Sequence, residues 1–492
     1  MRYHALDSLR AAMMFLGIYL HAVVAYSPNG GWPYKQAELT RVLDWSTSII
    51  HVFRMPIFYA MAGFFAALLL ARYGFRRAAW NRFGRIVVPF VVGWMVVWPL
   101  VMLLAGTGVY GFDFTVRAFE SGRVWAYAHP LHLWFLEYLI VLYVVAVAAV
   151  ALVPLVLPPR ARQSVLRAFR LVMLSAWAPL ILAIPSFAAQ LLMPNPWIED
   201  PPGFVPVFGI VAVYTVPFAV GWLLFVESDL LDTIARRAGL YAVLAVVASV
   251  AYRLSYDLPL DRAVAFYLIR VVHSVAMWLL ILGVTGLFLR TLSGHSPLRR
   301  YLCDSSYFLY IAHLPAIMLF QLILLDVPLP PLAKMGLVLA GTIAVLLPVY
   351  RWGVRPTFVG AVLNGRRYPS TIGPVLEPGP LQEDRQGAQD AVHRLDARYR
   401  PRMETGPWTV RHRHRRQHGA GGRSRHPAAD RGLRHRHQRR DLLQRGDAEA
   451  LHWAEAHRVS RHGRGELRRP RGGREGRHKS LDHLGLWRHD GG

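Results

Sequence analysis

Histidine and arginine recur inside stretches that are otherwise apolar. Arg10 and His21 share one such stretch, His51 and Arg54 a second, His132 and Glu137 a third, Arg270 and His273 a fourth, and Tyr307, Tyr310 and His313 a fifth. A charged side chain within a membrane-spanning helix costs roughly 2.5–3.5 kcal/mol on insertion scales, so each is a functional position by default. Histidine takes up and releases protons near neutral pH, and arginine presents a planar fork of donors to anionic groups. A lining of His, Arg, Tyr and Ser suits proton transfer beside recognition of an anion.

Spacing places these residues relative to one another. Arg10 and His21 are eleven residues apart, which returns a helix to nearly the same face about 16 Å further along its axis. His51 and Arg54 lie one turn apart at the start of the next apolar run, at a depth comparable with His21. We expect His21, His51 and Arg54 to share one polar cavity; the alternative for His51 is an interfacial position near a helix end. Asp7 and Glu137 are the acids with which Arg10 or Arg54 would pair. His132 and Glu137 are five apart and fall on different helix faces, so they do not form a direct dyad. Tyr307, Tyr310 and His313, three apart, drift slowly around one face.

The elements that carry these residues are long apolar runs. They recur near residues 6–26, 47–71, 86–107, 131–157, 171–192, 205–226, 239–253, 264–289, 303–325 and 334–350, most of them close to the ~20 residues a spanning helix needs. The run at 239–253 is the shortest. The runs are continuous, whereas barrel strands alternate apolar and polar, and lipid requires backbone groups to be satisfied internally. The expected fold is therefore all-α, a polytopic membrane bundle of about ten helices.

The net charge of +26 would suit nucleic acid, but in the membrane region the basic residues fall on alternate loops. With the N-terminus inside, roughly nineteen basic residues lie on the cytoplasmic side and about seven outside. Nucleic acid is thus not an expected partner. Arg10 interrupts the first run, which reads as a retained helix rather than a cleaved signal peptide. The single cysteine, Cys303, excludes an intrachain disulfide framework, and no cofactor or metal is expected. The chain has no P-loop, no Gly-x-Ser-x-Gly elbow and no His-Glu-x-x-His pair, so ATP hydrolysis, serine hydrolysis at such an elbow and zinc proteolysis lack support.

Composition changes sharply near residue 370. The runs Arg411-His412-Arg413-His414 and Arg434-His435-Arg436-His437 cannot bury enough apolar surface to offset chain entropy. We divide the chain into a membrane domain, 1–365, and a disordered Arg/His/Gly-rich tail, 366–492. The tail reads as plain disorder, as a frameshifted or read-through extension, or as a binding tail, and in none of these is it catalytic.

The segments Leu6-Asp7-Ser8-Leu9-Arg10 through His21, His51-Val52-Phe53-Arg54-Met55-Pro56, Arg82-Phe83-Gly84-Arg85, His132-Leu133-Trp134 and Ser306-Tyr307-Phe308-Leu309-Tyr310-Ile311-Ala312-His313 resemble, in order, the acyltransferase 3 family of membrane acyltransferases, in particular its glucan biosynthesis branch. The resemblance covers roughly residues 1–360. It implies an O-acyltransferase of the bacterial inner membrane that moves an acyl group, succinyl or acetyl, from cytoplasmic acyl-coenzyme A to a hydroxyl of a periplasmic glucan or other glycan. It also implies essential roles for Arg10, His21, Arg82 and Arg85. The residues themselves fit this chemistry. A sugar hydroxyl needs a base, for which His21 is the candidate, with Arg10, His51 and Arg54 completing the catalytic set. Arg76, Arg77, Arg82 and Arg85 lie in the densest basic cluster of the membrane domain, where coenzyme A phosphates would be met. His132, Glu137, Tyr310 and His313 are the remaining substrate-binding candidates. A proton-coupled transporter or a flippase of glycan or lipid would draw on the same residue types.

Overall fold

A computed structural model describes residues 4–28, 32–35, 40–195, 198, 200–201, 203–294 and 296–371. The basic tail expected from 366 onward lies outside the described residues apart from its first six positions. The described residues form thirteen α-helices with short 3-10 and π turns, and no strand occurs among them.

Eight helical runs are long and apolar enough to cross a membrane. One of them, Arg41–Tyr110, holds two of the expected spans: α2 (Arg41–Arg82) and α3 (Val88–Tyr110). The helical path of α2 is broken at Gly74, whose φ of 72° and ψ of 174° lie in a region open to glycine but costly for residues with a Cβ. Beyond Gly74 the chain is helical again, so the basic segment from Arg76 to Arg85, expected as a loop, is built from the end of α2 and a π turn over Phe83–Val87. The other long helices of the bundle are α1 (His4–Val23), α5 (Trp134–Val156), α8 (Phe208–Val226), α9 (Leu230–Ser255), α10 (Arg262–Thr291), α11 (Pro297–Ile323) and α12 (Pro331–Pro348).

Two expected spans differ in extent. The run at 171–192 is divided: amphipathic α6 (Pro159–Leu174) ends at Ser175, and α7 (Ala178–Gln190) begins after a short turn. The break follows from Pro179 at the start of α7 and from Arg237, which donates to the carbonyls of Leu174 (2.6 Å) and Ser175 (2.6 Å) and so satisfies the open end of α6. At 13 residues α7 is about 20 Å long, shorter than the hydrocarbon core. The run at 239–253, by contrast, belongs to the 26-residue α9. Its first turns carry Asp232, Arg236 and Arg237, which hide the helix from a reading by apolarity alone.

Apolar side chains on the outside of the bundle show where lipid lies. Val91, Val92, Met95 and Val96 on α3, Val144 and Val147 on α5, and Val243, Val246 and Val247 on α9 are all exposed. Such bands would be unfavourable against water and are the ordinary surface of a helix in lipid. The chain is a multi-pass membrane protein.

Inside, α1 packs against α2, α10, α11 and α12, which places the helix bearing Arg10 and His21 at the centre. Arg270, expected as a functional residue, is instead a staple. Fully buried, it donates to the carbonyls of Gln190 (3.1 Å), Met193 (2.7 Å), Asn195 (2.6 Å) and Phe266 (3.1 Å), tying α10 to the end of short α7. His273 packs edge-on to Tyr252 at 5.2 Å, away from the other histidines.

Candidate active site

Three histidines converge from three elements. His21 ends α1, His132 sits in the 3-10 turn Leu131–Leu133 that leads into α5, and His313 lies midway along α11. Their ring centroids are 6.0 Å (His21–His132), 5.2 Å (His21–His313) and 4.7 Å (His132–His313) apart, and all three residues are buried.

Backbone contacts hold two of the rings. His132 Nε2 donates to the carbonyls of Tyr310 (3.0 Å) and Ile311 (3.3 Å), and Tyr310 returns a bond from its hydroxyl to the carbonyl of His132 at 2.7 Å. His313 Nδ1 donates to the carbonyls of Tyr310 (2.6 Å) and Leu309 (3.1 Å). The stretch around His21 is fixed through its main chain: Gln321 donates to the carbonyl of Ala22 at 3.1 Å and accepts from Trp32 Nε1 at 2.9 Å. The Trp32 ring lies 6.4 Å from that of His21. Sequence reading missed Trp32 and Gln321. Gln321 carried a signal, being a polar residue within an apolar helix, whereas Trp32 is indistinguishable from an interfacial tryptophan.

Arg54 lies across α1 one turn from His21, where a Cβ on Gly17 would stand 2.3 Å from its Nη1. Its Nε has no partner, and its charge acts on all three histidines. His51 belongs to the edge of this group rather than its centre. Its Nδ1 donates to the Thr47 carbonyl at 2.8 Å, and the rings in contact with His21 are those of His132, His313 and Trp32. Asp200, which sequence reading also missed, lies on the loop before α8, where its carboxylate acts on both His51 and Arg54. An acid next to two prolines in the connection between α7 and α8 gave no sign of this.

Glu137 does not join the histidines. It is buried with Oε2 unpartnered, and its charge falls on Tyr59 and Tyr138. This agrees with the expectation that His132 and Glu137 form no dyad. Among the described residues no group of His, Cys, Asp and Glu is arranged to hold a metal ion.

The opposite end of α1 is cationic. Arg10, paired with Asp7 at 3.6 Å, lies within electrostatic reach of Arg85, which in turn neighbours Arg82. Arg82 donates to the Phe65 carbonyl at 3.3 Å and stands over the Tyr143 ring at 5.2 Å. Arg85 packs against the backbone at Gly365, and its own carbonyl accepts from Tyr307 at 2.8 Å. Arg82 and Arg85 are half-buried, whereas Arg76 and Arg77 are exposed beyond the Gly74 turn. Nearby, Arg300 bonds Asp304 at 2.8 Å, and Tyr368 lies beneath Arg300, Arg355 and Arg366.

Tyrosines connect the two ends. Tyr307 and Tyr310 stack at 6.5 Å with ring planes 10° apart, and Tyr310 lies 6.2 Å from His313. The expected common face of these three residues therefore forms a wall between arginines and histidines. The bundle thus carries guanidinium groups at one end of α1 and imidazoles at the other.

Residues 3–351 match the family model of the acyltransferase domain designated acyltransferase 3, and the chain belongs to that family of membrane O-acyltransferases. It is 27% identical over 325 residues, 65% of this chain and 83% of the relative, to the glucans biosynthesis protein C of Salmonella gallinarum. Similar matches are found to the proteins of that name from Salmonella paratyphi B (27% over 327 residues) and Salmonella schwarzengrund (26% over 326 residues), with 65% and 83% of the two chains covered in each case. No solved structure matches.

Proposed function

We propose that this enzyme transfers an acyl group, succinyl or acetyl, from cytoplasmic acyl-coenzyme A to a hydroxyl of a periplasmic glucan, and that it lies in the inner membrane with its N-terminus in the cytoplasm. The observation that carries this reading is the separation of function along α1. Arg10 stands with Arg82 and Arg85 at one end, and His21 stands with His132 and His313 about 16 Å away at the other. A donor rich in phosphate is met by guanidinium groups, and a hydroxyl is met by imidazoles. The names of the Salmonella relatives support the glucan, and the distribution of basic residues supports the orientation.

In the proposed step the acceptor oxygen attacks the thioester carbonyl carbon while His21 takes the hydroxyl proton. The tetrahedral intermediate collapses, the carbon–sulfur bond breaks, and the coenzyme A thiolate leaves and is protonated. Arg54, the half-buried cation whose charge acts on all three histidines, favours the negative charge that develops on the carbonyl oxygen or on a succinyl carboxylate. Arg82 and Arg85 are the proposed donor-binding pair; Arg76 and Arg77 are placed to attract the donor from solution.

Mass spectrometry of periplasmic glycans from cells with and without the gene tests the reading. Glucans should lose an acyl increment when the gene is removed. Unchanged acylation would refute it, as would movement of an unmodified glycan, which is the behaviour of a carrier.

A further inference from the structure

A carbonyl oxygen can only accept a hydrogen bond, so a ring nitrogen bonded to one must carry the proton. For His132 that nitrogen is Nε2, bonded to the carbonyls of Tyr310 and Ile311, and for His313 it is Nδ1, bonded to those of Leu309 and Tyr310. The tautomers of both neutral rings follow. His132 Nδ1 and His313 Nε2 are left as bare lone pairs, and both are buried without a partner. His21 differs, for no carbonyl holds its ring, and its Nδ1 is also unpartnered.

We infer that His132 and His313 are a fixed pair of hydrogen-bond acceptors that holds two hydroxyls of one acceptor molecule, so that the acceptor carries at least two hydroxyls beside the one that reacts and is not a single alcohol, amine or thiol. This rests on the acyl-transfer reading above and specifies its acceptor. One hydroxyl has one proton and satisfies one lone pair, so two bare nitrogens call for two O–H groups. The rings are 4.7 Å apart, 94% and 99% buried, and a buried acceptor left unsatisfied costs about 1–3 kcal/mol, which is the discrimination available against an acceptor with one hydroxyl fewer. Neighbouring hydroxyls on a sugar ring meet this requirement. The two held hydroxyls fix the orientation, and a third hydroxyl of the same molecule reacts and passes its proton to His21.

The test uses two substitutions that keep a donor for the main-chain carbonyls and remove the bare ring nitrogen. In His132→Gln the amide nitrogen replaces Nε2, and in His313→Asn it replaces Nδ1, so the carbonyls keep their donors. In membranes with matched protein levels, with succinyl-coenzyme A as donor and a glucan oligosaccharide as acceptor, each should raise the acceptor KM about tenfold and leave the donor KM unchanged. Each should also lose the preference of the unaltered enzyme for the oligosaccharide over its monodeoxy derivatives. An unchanged acceptor KM in both variants overturns the inference and leaves water as the occupant of the pair. Should a variant fail to accumulate, the unaltered enzyme decides alone, since equal KM values for the oligosaccharide and all its monodeoxy derivatives are equally fatal. If the unaltered enzyme transfers no acyl group, the functional reading fails separately. Oligosaccharide binding to purified enzyme, weakened or not by the two substitutions, then judges the pair.

Discussion

The imidazoles of His21 and His313 lie 5.2 Å apart, inclined by 41°, although one ends the first helix and the other belongs to the eleventh. The packing of α1 on α11 makes this pair, and with it the chemistry available to the bundle.

His21→Ala should insert and accumulate normally, since losing a polar side chain makes a spanning helix easier to accommodate. Acyl transfer should fall by roughly 10²- to 10⁴-fold while donor binding survives, as for loss of a positioned base. His21→Gln should be as inactive as Ala, because it keeps hydrogen-bonding capacity but cannot take the proton. Near-normal turnover in both would make His21 structural.

Replacing Arg82 and Arg85 together by Gln should raise the KM for acyl-coenzyme A with little change in acceptor KM, because both guanidiniums lie at the arginine end of α1. Arg76 and Arg77, exposed and beyond the turn, should matter less, and their loss should show chiefly as a weaker dependence of donor KM on salt. Equal effects of the two pairs would contradict this division.

Arg170 bonds Asp229 through both guanidinium nitrogens, at 2.6 and 3.0 Å, and Glu227 at 2.7 Å, joining α6 to the turn before α9. These hydrogen bonds hold the Asp229 carboxyl below its ordinary range. A depressed carboxylate contributes stability that is present above the unfolded-state pKa of about 4 and is lost as pH falls through the lower folded value. Thermal unfolding of Arg170→Gln in detergent should therefore begin slightly earlier than the parent at pH 7, a small effect for an exposed pair. The difference should vanish in acid; a gap that widens instead would disprove the linkage.

Cysteine-accessibility labelling in a Cys303→Ser background tests orientation. A cysteine at position 165, within basic α6, should label from the cytoplasmic side, and one at 198, in the loop near Asp200, from the periplasmic side. The reverse pattern would overturn both the orientation and the assignment of donor and acceptor ends.

Much of the bundle was legible because lipid imposes a simple rule. A backbone that cannot bond to water must bond to itself, so long apolar runs become helices wherever they occur. Helical periodicity then orders residues on a single helix without knowledge of its neighbours, which is how Tyr307, Tyr310 and His313 were recognised as one face. The rule weakens where polar residues belong to a helix, as in the first turns of α9, and where a proline and a captured carbonyl divide an apolar run, as between α6 and α7.

What the sequence determined by itself was the identity of the helices and the presence of Arg10, His21, Arg54, His132 and His313 among them. What only the tertiary structure decided was which of these meet. Arg270 resembles a functional arginine in sequence until four carbonyls absorb its donors. Glu137 resembles a partner for Arg54 until its charge falls on Tyr59 and Tyr138. His132 and His313 resemble any two histidines until the carbonyls of Leu309, Tyr310 and Ile311 fix their protons. The physical reason is one of range: the 3.6-residue period acts within one helix, whereas a site between helices depends on contacts between residues far apart in the chain, which packing alone selects.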